Sequence, residues 1–103
     1  MSSGITVTIE SRENLRPATT ETLALPTLQL TARELITLRV LHTTARLAPQ
    51  EQQDAVRQAL HAFRQQMYLL VVNDRRVTDL AEHLTLAAES RVRFWRLMPL
   101  VGG

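Results

Sequence analysis

The chain has 103 residues, of which 45% are hydrophobic, and this predicts one domain with a modest core. It contains no cysteine, so disulfides, thiolate nucleophiles and cysteine metal sites are excluded. Twelve basic and ten acidic residues give a net charge of +2, and all twelve basic residues are arginine. Because arginine keeps its proton at ordinary pH, this small excess explains the high isoelectric point, which therefore does not indicate nucleic-acid binding.

Two further expectations follow from composition. Residues 1–14 have neither the basic segment nor the apolar core of a secretion signal, and no apolar run reaches membrane length. We therefore expect a cytoplasmic protein that does not enter a membrane. The absence of lysine means that copies of this chain cannot be joined through a side-chain amine. A genome that favours arginine codons explains the same absence, so both interpretations stay open.

The N-terminal third predicts strands. Alternating apolar and polar residues indicate a half-buried strand over residues 4–10. Residues 11–20 are polar and are expected to form a loop or a wide turn. Residues 21–30 return to an extended pattern, and Pro26 marks either an edge position or a break in it.

The middle of the chain predicts two helices. A Thr-Ala-Arg-Glu sequence beginning at Thr31 has the form of a capping box, so a first helix is expected over about 31–47. Pro49 ends that helix and suits the first turn of the next. Residues 50–67 carry apolar side chains at helical spacing, with Gln, Glu and Arg opposite them, which predicts a second helix.

The C-terminal third predicts strands again. The apolar run 68–72 indicates a short strand, which a tight Asn-Asp-Arg-Arg turn joins to a return strand beginning at Val77. Residues 79–90 predict either a single helical turn or a connecting loop. A last strand is expected over 91–98, and residues 99–103 are expected to form a flexible tail.

This order of elements predicts an α+β domain over residues 1–98, with helices packed on one face of a mixed sheet. A first and a last strand lying side by side at the centre of the sheet would fit the order. Two of the three glycines are Gly102 and Gly103. Because glycine has no β-carbon, a segment ending in this pair can pass through a narrow channel in a partner.

The final third also carries an ordered set of short features: a strand ending in Val-Asn, a hairpin, a Val-x-Phe strand, a proline and two glycines. They are Val72 with Asn73, Asp74 to Val77, Val92 with Phe94, Pro99, and Gly102 with Gly103. The set resembles the ubiquitin-like β-grasp sulfur carriers, namely the small subunit of molybdopterin synthase and the thiamine-pathway sulfur carrier. The resemblance implies a single β-grasp domain and covers about the last 35 residues well.

Two differences from the sulfur carriers suit the bacterial ubiquitin-like modifiers, which this chain also resembles. The helical segments 31–47 and 50–67 are longer than those of the compact carriers, and the chain ends Phe-Trp-Arg-Leu-Met-Pro-Leu-Val-Gly-Gly. The resemblance implies that an adenylyltransferase of the ubiquitin-activating type uses ATP and Mg²⁺ to adenylate the carboxylate of Gly103. Gly102 would give clearance in that enzyme. A conjugating enzyme, a deconjugating metalloprotease and target proteins are the other partners that it implies.

We therefore expect a protein modifier, with a sulfur carrier bearing a thiocarboxylate at Gly103 as the alternative. A third possibility is an interaction protein in which the glycines are incidental. No nucleophile motif, glycine-rich phosphate loop or pair of catalytic carboxylates is present, so we expect no enzymatic activity and no bound cofactor. His42, His61 and His83 are dispersed and lack metal-ligand spacing, so no metal site is expected.

The candidates for partner binding lie near the last predicted strand. If Val92 and Phe94 face the helices, Trp95 and Leu97 lie on the other face of the sheet, where a tryptophan beside a leucine can anchor a partner. Pro99 is expected to stiffen the segment that follows. Leu100 and Arg96 complete the candidate set. Arg91, Arg93 and Arg96 either face an acidic partner or form a solvated basic edge.

Overall fold

The structure is a computed structural model that describes residues 5–13 and 17–96. Within these ranges, strands at both ends of the chain flank two helices. The elements are β1 (Ile5–Glu13), β2 (Thr19–Leu25), β3 (Gln29–Thr31), α1 (Ala32–Thr43), α2 (Pro49–Arg64), β4 (Tyr68–Val72), β5 (Arg75–Val77), β6 (His83–Thr85) and β7 (Arg91–Arg96). The expected α+β class is confirmed.

The main sheet has five strands among the described residues, in the order β2-β1-β7-β4-β5. The first and last strands are adjacent and parallel, with Ile9 opposite Val92, and the other pairs are antiparallel. The expected central pairing of the first and last strands is therefore confirmed. A second, two-stranded sheet pairs β3 with β6. Residues 83–85 are thus strand, and neither the helical turn nor the plain loop expected for 79–90 describes them.

The core lies between the helices and one face of the main sheet. Since residues opposite each other in a ladder share a face, Val7, Ile9, Val92 and Phe94 point together towards the helices. All four are buried. The buried core cluster also includes Leu23, Leu25, Leu30, Ala32, Leu35, Ile36, Val40, Phe63, Leu70, Val72, Val77, Leu80, Leu84 and Leu86.

Helix α1 begins as expected and ends earlier. Thr31 is the N-cap: its Oγ1 accepts from the Glu34 N–H at 3.2 Å, and the Glu34 carboxylate accepts from the Thr31 N–H at 2.8 Å. The helix stops at Thr43 instead of continuing to about residue 47. The hydroxyls of Thr43 and Thr44 both donate to the carbonyl of Val40, and such local bonds compete with helix continuation.

Helix α2 begins at Pro49, as expected, and ends at Arg64 instead of residue 67. Its end is set by Gln66, whose φ of 57° places it in the left-handed region. The Gln66 N–H donates to the Phe63 carbonyl, and the Met67 N–H donates to the Ala62 carbonyl. This is the hydrogen-bond pattern of a Schellman motif, with glutamine where glycine is usual.

Three strand boundaries also differ from expectation. β1 continues to residue 13 through residues expected to form a loop, because Ser11 and Arg12 pair with Phe94 and Trp95 of β7. β2 correspondingly starts at residue 19, and Ser11 is opposite Thr19. Val77 ends strand β5 instead of beginning it. Pairing with distant strands therefore determines these boundaries more than local composition does.

Candidate partner-binding surface on the outer face of the sheet

An apolar patch lies on the face of the sheet that points away from the helices. Trp95 of β7 stands between Leu69 of β4 and Arg12 of β1 in the ladders. Leu69 and Trp95 are half-buried. Val71, two residues after Leu69 and on the same face of β4, is 8% exposed. We call Leu69, Val71 and Trp95 the outer patch. Trp95 is therefore neither fully exposed nor covered, and a tryptophan edge beside aliphatic groups suits contact with a partner.

Arg93 holds the rim of the outer patch in place. Its Nε lies 3.2 Å from an oxygen of Glu10, and its Nη1 lies 3.3 Å from an oxygen of Asp74. The guanidinium carbon is 5.9 Å from the centre of the Trp95 ring. The Arg93 side chain is 19% exposed, so it is committed to neighbours within the chain. This contradicts the expectation that Arg93 belongs to a solvated basic edge.

A two-residue turn between β4 and β5 fixes the start of β7. Asn73 and Asp74 have φ values of 51° and 67°, as a type I′ hairpin turn requires. The Asn73 Oδ1 accepts from the Arg91 N–H at 2.9 Å, and the Asn73 N–H donates to the Arg91 carbonyl at 2.9 Å. Asn73 thus makes both hydrogen bonds to Arg91, the first residue of β7, that a residue of a paired strand would make. Sequence reasoning noted the Val-Asn pair and missed this role.

The structure separates the candidates that the sequence places together. Trp95 lies on the outer face, as expected from the burial of Val92 and Phe94. Arg96 is exposed and is opposite Tyr68, so it projects from the helix side of the sheet instead. Leu97, Pro99, Leu100, Gly102 and Gly103 lie outside the described residues. Of the predicted partner-binding set, only Trp95 is placed on the outer patch within the described ranges.

The outer patch lies close to the last described residue of β7. β7 is central, and because it is parallel to β1 the carboxyl ends of the two strands lie side by side. Trp95 is the residue immediately before Arg96, the last described residue. A partner that contacts Trp95 would therefore also be close to residue 97.

Two side chains in the described ranges have clearly shifted pKa values. Burial raises the pKa of Tyr68 to about 12, and the nearby Arg39 charge opposes that shift. Its hydroxyl donates to the Ala59 carbonyl at 2.9 Å. Hydrogen bonds from the backbone and side chain of Thr31 lower the pKa of Glu34. Tyr68 is thus neutral at ordinary pH, and Glu34 is ionised as a helix cap.

Neither helix in the described part of the chain is long and apolar enough to cross a membrane. The same ranges contain no group of three or more side chains placed to hold a metal ion. Comparison of this chain with protein-family models, with curated proteins and with solved structures finds no match. The functional argument therefore depends on the chain's own residues.

Proposed function

We propose that this chain is a ubiquitin-like β-grasp protein that acts as a protein modifier, activated at the carboxylate of Gly103. The observation that carries the proposal is the position of β7, which is central, parallel to β1, and followed directly by the segment that ends in Gly102 and Gly103. Because β7 is paired on both sides, it holds Arg96, to which the following residues are joined, between two neighbouring strands. This arrangement suits a substrate that is held by its body and reacts at its end.

The chemistry needs no catalytic group from this chain. In the partner enzyme, a carboxylate oxygen of Gly103 attacks the α-phosphorus of ATP, and pyrophosphate leaves with its charge balanced by Mg²⁺. The product is an acyl-adenylate. A nucleophile on an enzyme or target then attacks the acyl carbon, and AMP leaves. The proposal requires a free carboxylate on Gly103, either as the last residue of the translated chain or after cleavage behind it.

The outer patch supports the proposal as the surface that holds the activating enzyme. It combines apolar Leu69, Val71 and Trp95 with a rim fixed by Arg93, and such anchors surrounded by polar groups are typical of binding hot spots. Residues 97–103 can span at most about 24 Å if fully extended. The Gly103 carboxylate therefore lies within about that distance of Arg96, where an enzyme bound to the outer patch can reach it.

A sulfur carrier is the alternative, and Asn73 favours it. The resemblance to the carriers includes the Val-Asn pair, and in this chain Asn73 makes two hydrogen bonds that fix the start of β7. Both functions share every step up to the acyl-adenylate. In a carrier, the outer sulfur of a persulfide on a partner enzyme would displace AMP and give an acyl disulfide. A second thiol of that enzyme would then attack the inner sulfur, which releases the thiocarboxylate and leaves an enzyme disulfide. Helix α2, with 16 residues, offers a surface beyond what a minimal carrier needs and favours the modifier.

Intact mass spectrometry of the protein recovered from its native host tests the proposal. Adducts joined through Gly103 would support a modifier, whereas a gain equal to one oxygen exchanged for sulfur would support a carrier. Because the chain has no lysine, any self-linkage must use the N-terminal amine or a hydroxyl. An isopeptide bond to a side-chain amine within this chain would contradict that statement.

A pair of variants separates both activation functions from an incidental role of the glycines. Gly102→Ala with Gly103→Ala adds β-carbons where the enzyme channel must be narrow, and we expect loss of all adducts. Gly4→Ala makes the same chemical change at the other end of the sequence and should leave the adducts unchanged. Equal adduct levels in both variants would overturn the proposal and favour a plain interaction protein.

A further inference from the structure

A groove of about 750 Å³ lies between helix α2 and the inner face of the sheet, at the end where β1 and β7 finish. Ser11 and Arg12 of β1, and Phe94 and Arg96 of β7, line it. Its volume is within the range of roughly 300–1,000 Å³ that ligand pockets usually have. The outer patch is on the opposite face of the sheet, so the groove is a separate surface that the proposed function does not use.

Three of the six α2 residues that line the groove are alanines. Ala55, Ala59 and Ala62 line the groove, and none of them extends far enough to fill the space above the sheet. In α2 only Phe63 is buried. Met67, which follows the helix, also lines the groove and is 46% exposed although it is apolar. Together with buried Ile36, Val40 and Phe94, these residues give an apolar interior.

The charged side chains that line the groove are all cationic or potentially cationic. Among the described residues they are Arg39, Arg57, Arg96 and His61, and no carboxylate belongs to the lining. Arg57 contacts Asp54 at 3.4 Å on the exposed side of α2. Arg12 borders the groove but is opposite Trp95 in the ladder, so its side chain lies on the outer face of the sheet. An apolar interior with a cationic rim is complementary to a molecule that is apolar along its length and anionic at one end.

Arg39 is held in place inside this groove. Its Nη2 donates to the Ser11 Oγ at 2.7 Å, its Nε lies 3.5 Å from a Glu21 oxygen, and its guanidinium is stacked 4.5 Å from the centre of the Phe94 ring. The Nη1 group makes no hydrogen bond within the described ranges and is not among the buried unpaired atoms. It therefore keeps N–H donors available to an incoming anion, at a position fixed beforehand.

We propose that this groove binds an amphipathic carboxylate, with the apolar chain against Phe94, Met67 and the alanines of α2 and the carboxylate at Arg39. Arg39 supplies the Nη1 donors from a position fixed by its contacts with Ser11 and Phe94. Tyr68 does not oppose the anion, because its hydroxyl is neutral and donates to the Ala59 carbonyl. Nothing in the step is covalent; the ligand is held by burial and by charge-assisted hydrogen bonds.

The test is an NMR titration of the full chain with decanoate below its micelle concentration. We expect saturable shifts of the Ala59, Ala62 and Met67 methyl signals, while the indole N–H of Trp95, on the opposite face, stays unchanged. Shortening the ligand to octanoate and hexanoate should weaken binding by about fourfold for each methylene removed, since each methylene buries additional apolar surface. Decan-1-ol and decyltrimethylammonium, which have the same chain length, should bind at least fivefold more weakly.

Two groove variants and a matched control locate the site. Arg39→Gln should weaken decanoate binding by about fivefold and leave decan-1-ol binding unchanged, as expected for a partly exposed ion pair. Arg46→Gln makes the same change at an arginine that does not line the groove and should change neither. Ala62→Met fills the groove and should reduce decanoate binding by more than tenfold. Urea unfolding of each variant would serve as the control that its fold is retained.

Four outcomes would overturn the proposal. They are absence of saturable binding, equal affinity for decan-1-ol and decanoate, shifts at Leu69 and Trp95 instead of the groove, and equal loss of affinity in the Arg39 and Arg46 variants. Cross-peaks between the groove methyl groups and residues 97–101 in the ligand-free protein would also overturn it, because the chain itself would then be the occupant. None of these outcomes bears on activation at Gly103, so the two proposals fail independently.

Discussion

Replacing Asn73 should destabilise the fold in two separable parts, one from its side chain and one from its backbone conformation. The side chain accepts from the Arg91 N–H at 2.9 Å, and the backbone has a φ of 51°. Asn73→Gly removes the acceptor and keeps the conformation, because glycine adopts positive φ without strain. Asn73→Ala removes the acceptor and keeps a β-carbon in the left-handed region without the short polar side chain that lets asparagine adopt it. Asn73→Asp keeps both features and is the matched control.

The magnitudes follow from the geometry. Loss of the hydrogen bond costs about 1 kcal/mol, because the Arg91 N–H is exposed and water can replace the lost oxygen. Alanine in the left-handed region costs about 1–2 kcal/mol more, from which its smaller loss of chain entropy subtracts about 0.5 kcal/mol. We therefore expect about 1 kcal/mol for the glycine variant, about 2 kcal/mol for the alanine variant, and less than about 0.5 kcal/mol for the aspartate variant.

Urea unfolding followed by far-ultraviolet circular dichroism measures these differences in the free energy of unfolding. The dependence of that free energy on urea concentration should be the same for all variants. In thermal unfolding, each kcal/mol should lower Tm by roughly 4–8 °C in a domain of this size. Equal losses for the glycine and alanine variants would refute the argument from backbone conformation. An aspartate variant as unstable as the alanine variant would refute the argument from the Oδ1 acceptor.

Three further predictions concern other parts of the fold. Arg93→Gln should lower the free energy of unfolding by about 1 kcal/mol, because two partly exposed ion pairs are lost. The same variant should increase acrylamide quenching of Trp95 fluorescence, and unchanged quenching would show that Arg93 does not cover the ring. Burial raises the pKa of Tyr68 to about 12, so the stability that depends on its protonated form is fully present below pH 10 and is lost as the pH rises from about 10 to 12. Tyr68→Phe should abolish that part of the pH dependence of stability, measured by unfolding at each pH. A tyrosinate absorbance midpoint near pH 10 would contradict the burial of this hydroxyl. Thr31→Ala should cost about 1 kcal/mol through loss of the N-cap, and it should only partly reduce the acid-induced destabilisation that arises as Glu34, with its lowered pKa, is protonated, because alanine keeps the backbone N–H that donates to this carboxylate. Glu34→Gln should remove that destabilisation, and an unchanged acid profile in Glu34→Gln would mean that the cap does not hold the carboxylate.

Local chemistry made several features of this fold predictable. The capping box at Thr31 and the proline at position 49 each mark a helix start, because they satisfy or remove backbone N–H groups within one turn. Pro26 interrupts an extended segment for the same reason, since it has no donor for a ladder. Alternation along residues 91–95 predicted that Trp95 lies on the face opposite Val92 and Phe94, and the burial of those two residues shows which face that is.

Features set by distant contacts were not predictable from the sequence. Ser11 and Arg12 are polar and lie in a strand only because β7 pairs with them in parallel. The short strands β3 and β6 form because Leu30 and Leu84 are opposite each other and both enter the core. Gln66 ends α2 in a conformation usually taken by glycine, so no residue type marked the boundary. The outer patch and the groove also depend on how elements far apart in the chain approach each other.

Strand β7 links the two surfaces that these proposals use. Its side chains alternate between the faces of the sheet, so Phe94 lies in the groove beneath the Arg39 guanidinium while Trp95 belongs to the outer patch. β7 is hydrogen-bonded to β1 on one side and to β4 on the other. We therefore expect its backbone to move little when a molecule binds to either face of the sheet. The arrangement therefore favours two sites that work independently, one for an apolar anion beneath the helices and one for an activating enzyme on the outer face.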